Sequence, residues 1–564
     1  MTRTSRCLPT PSKRSDEGLS ALVRGGSVRP PRTTCVGRSG LRRLAVLVAL
    51  VAAALASGCV IFPHGAYWPS YDEHLAAASS AEGGSAAAAP GGRPARRRTP
   101  AERASLQKAV TRRWSNDALA QSARNMDGRA GRWVYTDAAR AVAWFYVDRV
   151  AYRDLVAAGM QSLRAALENA TFRARFGEAD DDTKRACFAE ALEILHLKAC
   201  AADPWFAFQA GEWLTVAMEK NRAMLGLPDG AVVAEFLFGA MDSLDPYSRY
   251  LTAEMLEAVR RQMKGAYAGI GAAVVLRGGR IVVSEVFEGG PAARAGLKPG
   301  DEIVAIEHDP VKGLSLTDVA RRLRGEPATK VRIRVRPGGR GEDRTVVLER
   351  AVVSRPSVRR ARLIDGEEGV GYLHLATFKS GTEKELRLAV RTLDAQGARA
   401  LIVDLRGNPG GMLLEAIGAA GVFLPRGRVT QTRGRALGAT WTYEVPLLAH
   451  HQWRGPLAVL IDQGTASAAE VLAAALGRRG RAVLVGQRTF GKGAAQVNVP
   501  ISGGKGAVCV TVARVYDPDG ECIEGQGVEP DRSIPPPCGP AETLRADPAV
   551  RAAVEALRAG SAEP

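Results

Sequence analysis

Aromatic residues and histidine are scarce in this chain of 564 residues. Phe, Trp and Tyr make up 6% of it, and there are seven histidines. Neither a Cys-x-x-Cys pair nor a histidine cluster is present, so the sequence predicts no metal site. The formal charge is +18, but the basic residues form no stripe interleaved with aromatics, which argues against nucleic-acid binding.

The chain also lacks an apolar run that would span a membrane comfortably near its N-terminus. The run Leu44–Ala56 follows several arginines and ends in Ser57-Gly58, ahead of Cys59. A basic region, a short apolar region and small residues are typical of a signal peptide, here residues 1–58. Leu-Ala-Ser-Gly-Cys resembles a bacterial lipobox, which implies lipidation of Cys59. An ordinary secretory signal and an N-terminal anchor helix remain alternatives.

Five of the eight cysteines lie beyond Cys59. An odd number in an oxidising compartment leaves at least one thiol unpaired. Cys187 with Cys200 is one possible disulfide. Two of Cys509, Cys522 and Cys538 are another.

The chain divides by composition and periodicity into a multidomain α+β architecture. Residues 59–103 are predicted to be a lipid anchor and flexible tether, because 79–100 are rich in Ala, Gly and Pro. Helical apolar spacing predicts a helical domain, and strands alternating with helices predict an α/β core. The predicted domains are 104–260 (helical), 261–355 (β-rich), 356–535 (α/β core) and 536–564 (C-terminal tail).

Residues 267–350 contain the most distinctive pattern of the β-rich domain. Pro291 begins a short helix, Gly296 ends it, and Lys298-Pro299-Gly300-Asp301 turns into a strand at 302–306. This segment closely resembles a PDZ domain of the circularly permuted bacterial type. The resemblance implies that Gly269, Ile270 and Gly271 form a loop whose backbone N–H groups bind a peptide C-terminal carboxylate. A plain turn is the alternative for that loop.

Two loops of the α/β core carry candidate chemistry. Residues 400–411, ALIVDLRGNPGG, predict a buried strand followed by a Gly/Pro loop whose free N–H groups suit an oxyanion. Ser467 lies at the turn between a predicted strand at 457–461 and a predicted helix at 466–476, so its hydroxyl lies near the positive end of a helix. A tight turn and a helix-capping serine are the alternatives for these features.

Lys492 lies between two glycines in RTFGKGAAQ. Such a lysine acts as a general base only where burial or positive neighbours lower its pKa towards neutrality. Otherwise it is a solvated loop residue. Gln496, four residues on, shares its face in a strand, and an amide there could hold the amine without adding charge.

The motifs DLRGNPGG, GTASAAE and TFGKGAAQ together resemble the signature of the carboxyl-terminal processing peptidases, or tail-specific proteases. LDPYSRYL at 244–251 and TVARVYDPDGECIEGQGVEPD at 511–531 extend the resemblance, which covers about 227–531. It implies a crotonase-like core, with Ser467 as nucleophile, Lys492 as general base and Gln496 orienting the lysine. The resemblance also implies an oxyanion hole from the N–H groups of Gly410 and Ala468.

Some details of that signature differ or stay open. Gly411 could replace Gly410 in the oxyanion hole. Thr465 and Ala469 stand where the family usually has serines, and neither is the nucleophile. Arg478 occupies a position where some branches have an aspartate, which favours the Ser/Lys/Gln version of the site.

The expected function is therefore that of a serine endopeptidase in the bacterial cell envelope. It would be lipid-anchored on the periplasmic side and would need no cofactor or metal. Its expected partners are proteins or peptides with free C-terminal tails, and an adaptor protein is possible. The alternatives are a catalytically inactive PDZ scaffold or adaptor on a peptidase fold, and a peptidoglycan-associated binding protein.

Overall fold

The computed structural model describes residues 99–560, apart from 203, 205, 264–265, 368, 447–452, 505 and 537–542. The predicted signal peptide, Cys59, most of the tether and Cys538 lie outside the described residues. Within the described ranges, no helix combines the length and apolar character needed to cross a bilayer.

Eight helices form the first part of the described chain. The last of them is apolar on every face and is buried from Gly230 to Met241, as expected for a helix at the centre of a bundle. The carboxylate within that buried stretch, Glu235, accepts hydrogen bonds from Trp114 Nε1 at 2.6 Å and from Ser162 and Arg113. The helices are α1 Pro100–Trp114, α2 Asp117–Arg124, α3 Gly128–Phe145, α4 Tyr152–Glu168, α5 Ala170–Arg175, α6 Asp182–Ala202, α7 Ala207–Met224 and α8 Asp229–Asp242.

A strand, a helix and a small β domain follow. The β domain is built on a sheet with strand order β3-β4-β5-β7-β8, in which β6 also pairs with β5. The predicted strand 302–306 and the helix start at Pro291 are confirmed. The elements are β1 Arg249–Leu251, α9 Ala253–Met263, β2 Ala266–Gly269, β3 Ala272–Arg277, β4 Arg280–Val286, α10 Pro291–Arg294, β5 Glu302–Ile306, β6 Asp309–Pro310, α11 Leu316–Leu323, β7 Lys330–Arg336, β8 Arg344–Glu349 and β9 Ala351–Ser354.

The α/β core contains a six-stranded sheet in the order β10-β11-β12-β15-β16-β19. All neighbours are parallel except the antiparallel edge pair β10–β11. Because β12 and β15 are adjacent and parallel, the loops that follow them lie at the same edge of the sheet. The elements are β10 Val358–Leu363, β11 Val370–Leu375, α12 Thr382–Ala395, β12 Ala400–Asp404, α13 Leu413–Phe423, β15 Leu457–Ile461, α14 Ala468–Arg478, β16 Val483–Gly486 and β19 Arg532–Ser533.

A second, antiparallel sheet joins the helical segment to this core. Its long strand β18 pairs with β17, β13 and β1, so the chain just before the β domain is hydrogen-bonded to the core. Val147, which follows α3, also donates its N–H to Thr511 of β18 at 2.8 Å. The remaining strands are β13 Arg428–Arg433, β14 Trp441–Glu444, β17 Ala494–Pro500 and β18 Ala507–Tyr516.

Two expectations are corrected by these elements. Part of the predicted C-terminal tail is helix α15, Pro548–Gly560, whose Val550, Ala553 and Leu557 join the buried cluster beneath the parallel sheet. Cys187 and Cys200 are free thiols on the same helix, α6. At 1.5 Å per residue they are about 20 Å apart, far beyond disulfide reach, so that pairing is excluded. Cys509 and Cys522 are free as well.

Candidate active site

Ser467 lies at the turn between strand β15 and helix α14. The strand is buried throughout and has the predicted bounds, whereas the helix begins at Ala468, two residues later than predicted. The backbone of Ser467 has φ 59° and ψ −118°, an unusual conformation for a residue with a side chain. Its Oγ is buried and has no hydrogen-bond partner among the described residues. The hydroxyl therefore does not cap the helix, which removes the capping alternative.

The glycine loop after β12 lies against Ser467. Ala466 donates its N–H to the carbonyl of Asn408 at 2.9 Å. A Cβ placed on Gly410 would stand 2.9 Å from both the Ala468 nitrogen and the Ser467 Cβ. A side chain at this position would collide with the Ser467 turn, so glycine allows the loop to pack this closely against Ser467 and Ala468.

The N–H of Gly410, a predicted oxyanion donor, already has a hydrogen-bond acceptor in the structure. It donates to Asn408 Oδ1 at 2.9 Å, within the loop itself. Gly411, the alternative donor, has φ 144° and fits tightly against the Phe378 carbonyl. The roles of Gly410, Gly411 and Ala468 in an oxyanion hole stay predictions.

A buried carboxylate, Glu470, holds the serine and lysine segments together. Its Oε2 accepts the N–H of Ser467 at 2.6 Å and that of Lys492 at 2.8 Å. Its Oε1 accepts the N–H of Gly491 at 2.6 Å and the Thr489 hydroxyl at 2.5 Å. Because one carboxyl group accepts from both segments, Ser467 and Lys492 are close neighbours. Sequence analysis missed Glu470, although Ser-x-x-Glu at a helix start was a readable signal.

Lys492 is a buried lysine, with 4% of its surface exposed. Burial lowers the pKa of its amine to about 8, and the nearby Arg249 guanidinium acts in the same direction. The amine lies 4.7 Å from the centre of the Tyr247 ring. The solvated-loop alternative is thereby excluded, and a neutral amine is available near physiological pH.

Gln496 lies on β17, fully buried and opposite Thr511 of β18. Its Nε2 donates to Thr511 Oγ1 at 3.3 Å, and its Oε1 has no hydrogen-bond partner among the described residues. An amide oxygen with an unused lone pair suits an amine donor. The orientation of Lys492 by Gln496 stays a prediction.

The positions that depart from the family signature have structural partners. Thr465 Oγ1 donates to the Leu405 carbonyl at 2.9 Å and closes the turn with Asp462. Arg478, at the end of α14, donates to Asp517 Oδ2 at 2.8 Å. Both side chains therefore have structural hydrogen bonds of their own.

The predicted carboxylate loop has the local geometry that its glycines suggest. Gly271 has φ 75°, and the Ile270 and Gly271 carbonyls accept from Ala292 and Phe287 at 2.7 and 2.9 Å. Ile270 packs its side chain into the β-domain core, and Gly269 ends β2. Among the described strands, β3 pairs with β4 alone, so its other edge is open beside the loop. Peptide binding by Gly269, Ile270 and Gly271 stays a prediction.

Comparisons with known proteins bear on the identity of the chain. The model of peptidase family S41 matches residues 369–534, and a PDZ domain model matches 282–337. A carboxyl-terminal-processing protease from Synechocystis sp. is 34% identical over 356 residues, covering 62% of this chain and 82% of that protein. The chain belongs to the carboxyl-terminal processing peptidases. It is a serine-type peptidase of family S41 that carries a PDZ domain.

Further relatives of this S41 peptidase include a carboxy-terminal-processing protease from Bartonella bacilliformis. That protein is 31% identical over 315 residues, covering 55% of this chain and 71% of its own. The solved structure of a photosystem II D1 C-terminal processing protease is 28% identical. It covers 75% of this chain and 97% of its own, with a TM-score of 0.40.

The S41 match includes all three motif loops, but it leaves the first helices outside. Ser467, Lys492 and Gln496 lie within the matched range 369–534. Tyr247, whose ring faces Lys492, lies outside both matched ranges. The candidate site therefore includes a side chain from the segment ahead of the PDZ domain.

Proposed function

We propose that this peptidase cleaves peptide bonds through an acyl-enzyme formed on Ser467, with Lys492 as general base. The observation that carries this proposal is the buried Glu470, whose carboxylate binds the backbone N–H groups of both residues. The site combines a buried serine hydroxyl with a lysine whose pKa is about 8. These are the two requirements of a Ser/Lys dyad.

The chemistry follows from the protonation state of the lysine. A neutral Lys492 takes the proton of Ser467 as Oγ attacks the scissile carbonyl, and the resulting ammonium then gives a proton to the leaving amine. The same base activates water for deacylation. The Ala468 N–H, together with that of Gly410 or Gly411, would stabilise the oxyanion. For Gly410 this requires the N–H to turn from Asn408 towards the substrate. Gln496 Oε1 accepts from the amine and orients it.

The PDZ domain supplies substrate selection in this proposal. A substrate's C-terminal tail would add to the open edge of β3, beside α11, and place its carboxylate on the N–H groups of Gly269, Ile270 and Gly271. We further propose that the α/β core is of the crotonase-like type. A peptide-binding module on a peptidase supports the capture of tails, whether directly or through an adaptor protein.

The proposed location is the bacterial cell envelope, on the periplasmic side. The support is the basic and apolar segment that ends in Ser57-Gly58-Cys59. Lipidation of Cys59 would tether the enzyme through residues 59–103 to a membrane, and its peptidase site would reach proteins with exposed tails.

The dyad is tested with Ser467→Ala, Lys492→Ala and the double variant. The substrate is an unstructured peptide with an apolar free C-terminus, and retained folding is checked by circular dichroism. Each single variant is expected to lose cleavage, and the double variant to lose little more, because nucleophile and base act as one unit. A serine-directed probe should label the parent and not Ser467→Ala. A parent that is not labelled and does not cleave would instead identify an inactive PDZ scaffold.

A further inference from the structure

The turn between the helical segment and β1 is hydrogen-bonded to strand β18 of the antiparallel sheet. Asp245 Oδ1 accepts the N–H groups of Tyr247 and Ser248, both at 2.7 Å. Ser248 Oγ in turn accepts the Thr511 N–H at 3.1 Å, and Thr511 Oγ1 accepts from Gln496. The turn thus has a fixed position relative to the residue predicted to orient Lys492.

Tyr247 reaches the lysine directly from this turn. It is 8% exposed, and its ring centre is 4.7 Å from Lys492 Nζ. Its phenol is hydrogen-bonded to Glu524. Glu524 lies in a different segment of the chain. The backbone of that segment packs against Gly493, the residue after Lys492, so closely that a Cβ on Gly493 would stand 2.2 Å from the Glu524 nitrogen. Lys492, Tyr247 and Glu524 therefore form one cluster.

One carboxyl oxygen of this cluster lacks a partner. Glu524 Oε2 is buried and has no hydrogen-bond partner among the described residues. Leaving a buried carboxylate oxygen unsatisfied is costly unless a donor or a positive charge is produced nearby. The dyad produces such a charge when Lys492 takes the serine proton.

We propose that Tyr247 and Glu524 are positioning residues that stabilise the Lys492 ammonium formed during acylation. The ring presents its negative face to the ammonium, and the carboxyl group holds the ring and supplies the compensating charge. The proposal rests on Lys492 being the general base. It adds to the dyad a group from the chain ahead of the PDZ domain and another from the last loop of the core.

The charges around Lys492 support this arrangement. Cys509, Glu524 and Asp245 act to raise the pKa of its amine, whereas burial and Arg249 lower it. Glu524 itself has its pKa raised to about 7, first by burial and then by Asp245 and Glu470, while Lys492 and the Gly493 N–H oppose the shift. Lysine and carboxyl therefore titrate in the same pH range and influence each other.

Glu524→Gln tests the carboxylate, because the amide keeps the size and an acceptor for the Tyr247 phenol. Without the negative charge, the pKa of Lys492 should fall by about one unit. At pH 6.5 Glu524 is already mostly protonated in the parent, because its pKa is about 7, so kcat/KM of the variant should match the parent's within about twofold. At pH 9 the parent's carboxylate is ionised and the neutral amine of the variant is the weaker base, so kcat/KM of the variant should be about threefold lower. Profiles that coincide at low pH and separate as the pH rises are the expected signature.

The control for this variant is Glu521→Gln, which removes an exposed carboxylate from the same loop and should leave the profile unchanged. A Glu524→Gln profile that matches the parent's, or that is lowered by one factor at every pH, would overturn the role of Glu524. The second outcome is what a purely structural defect produces.

Tyr247→Phe and Tyr247→Leu test the ring. Phenylalanine keeps the aromatic face and should retain kcat within about threefold, whereas leucine should lower kcat about tenfold or more. KM should change little in both, because the ammonium forms only on the way to the acyl-enzyme. Concentrations of active enzyme are set by titration with a serine-directed probe, so that partial unfolding is not counted. Equal losses in both variants would contradict a role for the ring.

The outcomes separate this inference from the proposed function. If Lys492→Ala keeps its activity, the dyad itself fails. If Lys492→Ala is inactive while Glu524→Gln and Tyr247→Leu both match the parent at every pH, the dyad stands and the positioning roles fail.

Discussion

The backbone of Ser467, the proposed nucleophile, is strained. A φ of 59° is uncommon for a residue with a Cβ, and such positions cost about 1–3 kcal/mol. The hydrogen bond from Ser467 N–H to Glu470 is one of the contacts that enforce it. A pair of inactive variants can therefore measure the strain.

Ser467→Gly and Ser467→Ala both remove the nucleophile, but only glycine relieves the backbone. Glycine also loses more chain entropy on folding, by about 0.5–1 kcal/mol. We expect Ser467→Gly to be more stable than Ser467→Ala by about 1 kcal/mol, measured by denaturant unfolding. A less stable glycine variant would mean that the turn stores no strain.

Lys492 should also lower the stability of the folded chain. Its pKa falls from 10.5 to about 8 on folding, so the cost is fully present below pH 8 and disappears as the pH rises to 10.5. Lys492→Met is expected to be more stable than the parent by about 3 kcal/mol at pH 7. The difference should narrow steadily between pH 8 and 10.5, which unfolding curves across that range would measure. A difference that does not change with pH would have to come from packing.

Some residues of the candidate site could be predicted from the sequence and others could not. Ser467 and Lys492 are recognisable because glycines and small residues surround them in short motifs. Tyr247 and Glu524 act on Lys492 from segments far away in the chain, so only the fold brings them together. Whether the Gly410 N–H points into the site is equally invisible in sequence, because it depends on a hydrogen bond to Asn408.

Among the elements, short buried strands were the most predictable. Strands β5 and β15 have the predicted bounds, since each is a short apolar run between turn residues. Helix α15 was not predicted, although Val550, Ala553 and Leu557 recur with helical spacing. It lies beyond the last motif, and only the packing shows that it covers the parallel sheet.

The contribution of α15 can be measured with one substitution. Leu557→Ala removes a buried side chain from the cluster that includes Ile402 and Leu460 of the sheet. The expected loss is about 2–4 kcal/mol of unfolding free energy. Glu555→Ala, an exposed position on the same helix, should change stability by less than about 0.5 kcal/mol. Equal effects from both would show that the helix does not belong to the cooperative core.

At the scale of the whole molecule, we propose that substrates are selected by their free C-terminal carboxylate. Two matched peptides, one with a free C-terminus and one amidated, differ by the charge that the PDZ loop would bind. Charge-assisted hydrogen bonds contribute about 1.5–3 kcal/mol each, so the free peptide should be cleaved at least about tenfold more efficiently.

Gly271→Val provides the control for this comparison. Gly271 has a φ of 75°, and a Cβ there would stand 3.1 Å from Gly290 Cα, so a bulky residue should distort the loop. The preference for the free peptide should shrink in that variant. Equal cleavage of both peptides by the parent would leave the PDZ domain with some other ligand.

Membrane attachment is tested by Cys59→Ser. Acyl chains supply the membrane affinity of a lipoprotein, so this variant should move from the membrane fraction to the soluble periplasmic fraction. A variant that still pellets after a salt wash would favour an anchor helix.

The contacts between distant segments were the least predictable property of the molecule. Within the predicted helical domain, 104–260, Val147 and the strand β1 are hydrogen-bonded to β18 of the core, which no sequence motif indicated. Apolar periodicity shows which face of a helix is buried, but it does not show what covers that face.

The buried lysine would make the proposed Ser467/Lys492 chemistry responsive to the acidity of its surroundings. With a pKa of about 8, only about a tenth of Lys492 is neutral at pH 7, and about a hundredth at pH 6. In the proposed location, outside the cytoplasm, the site would experience changes in the growth medium. Acidification of that medium would thereby slow the cleavage proposed for Ser467 and Lys492, with no inhibitor needed.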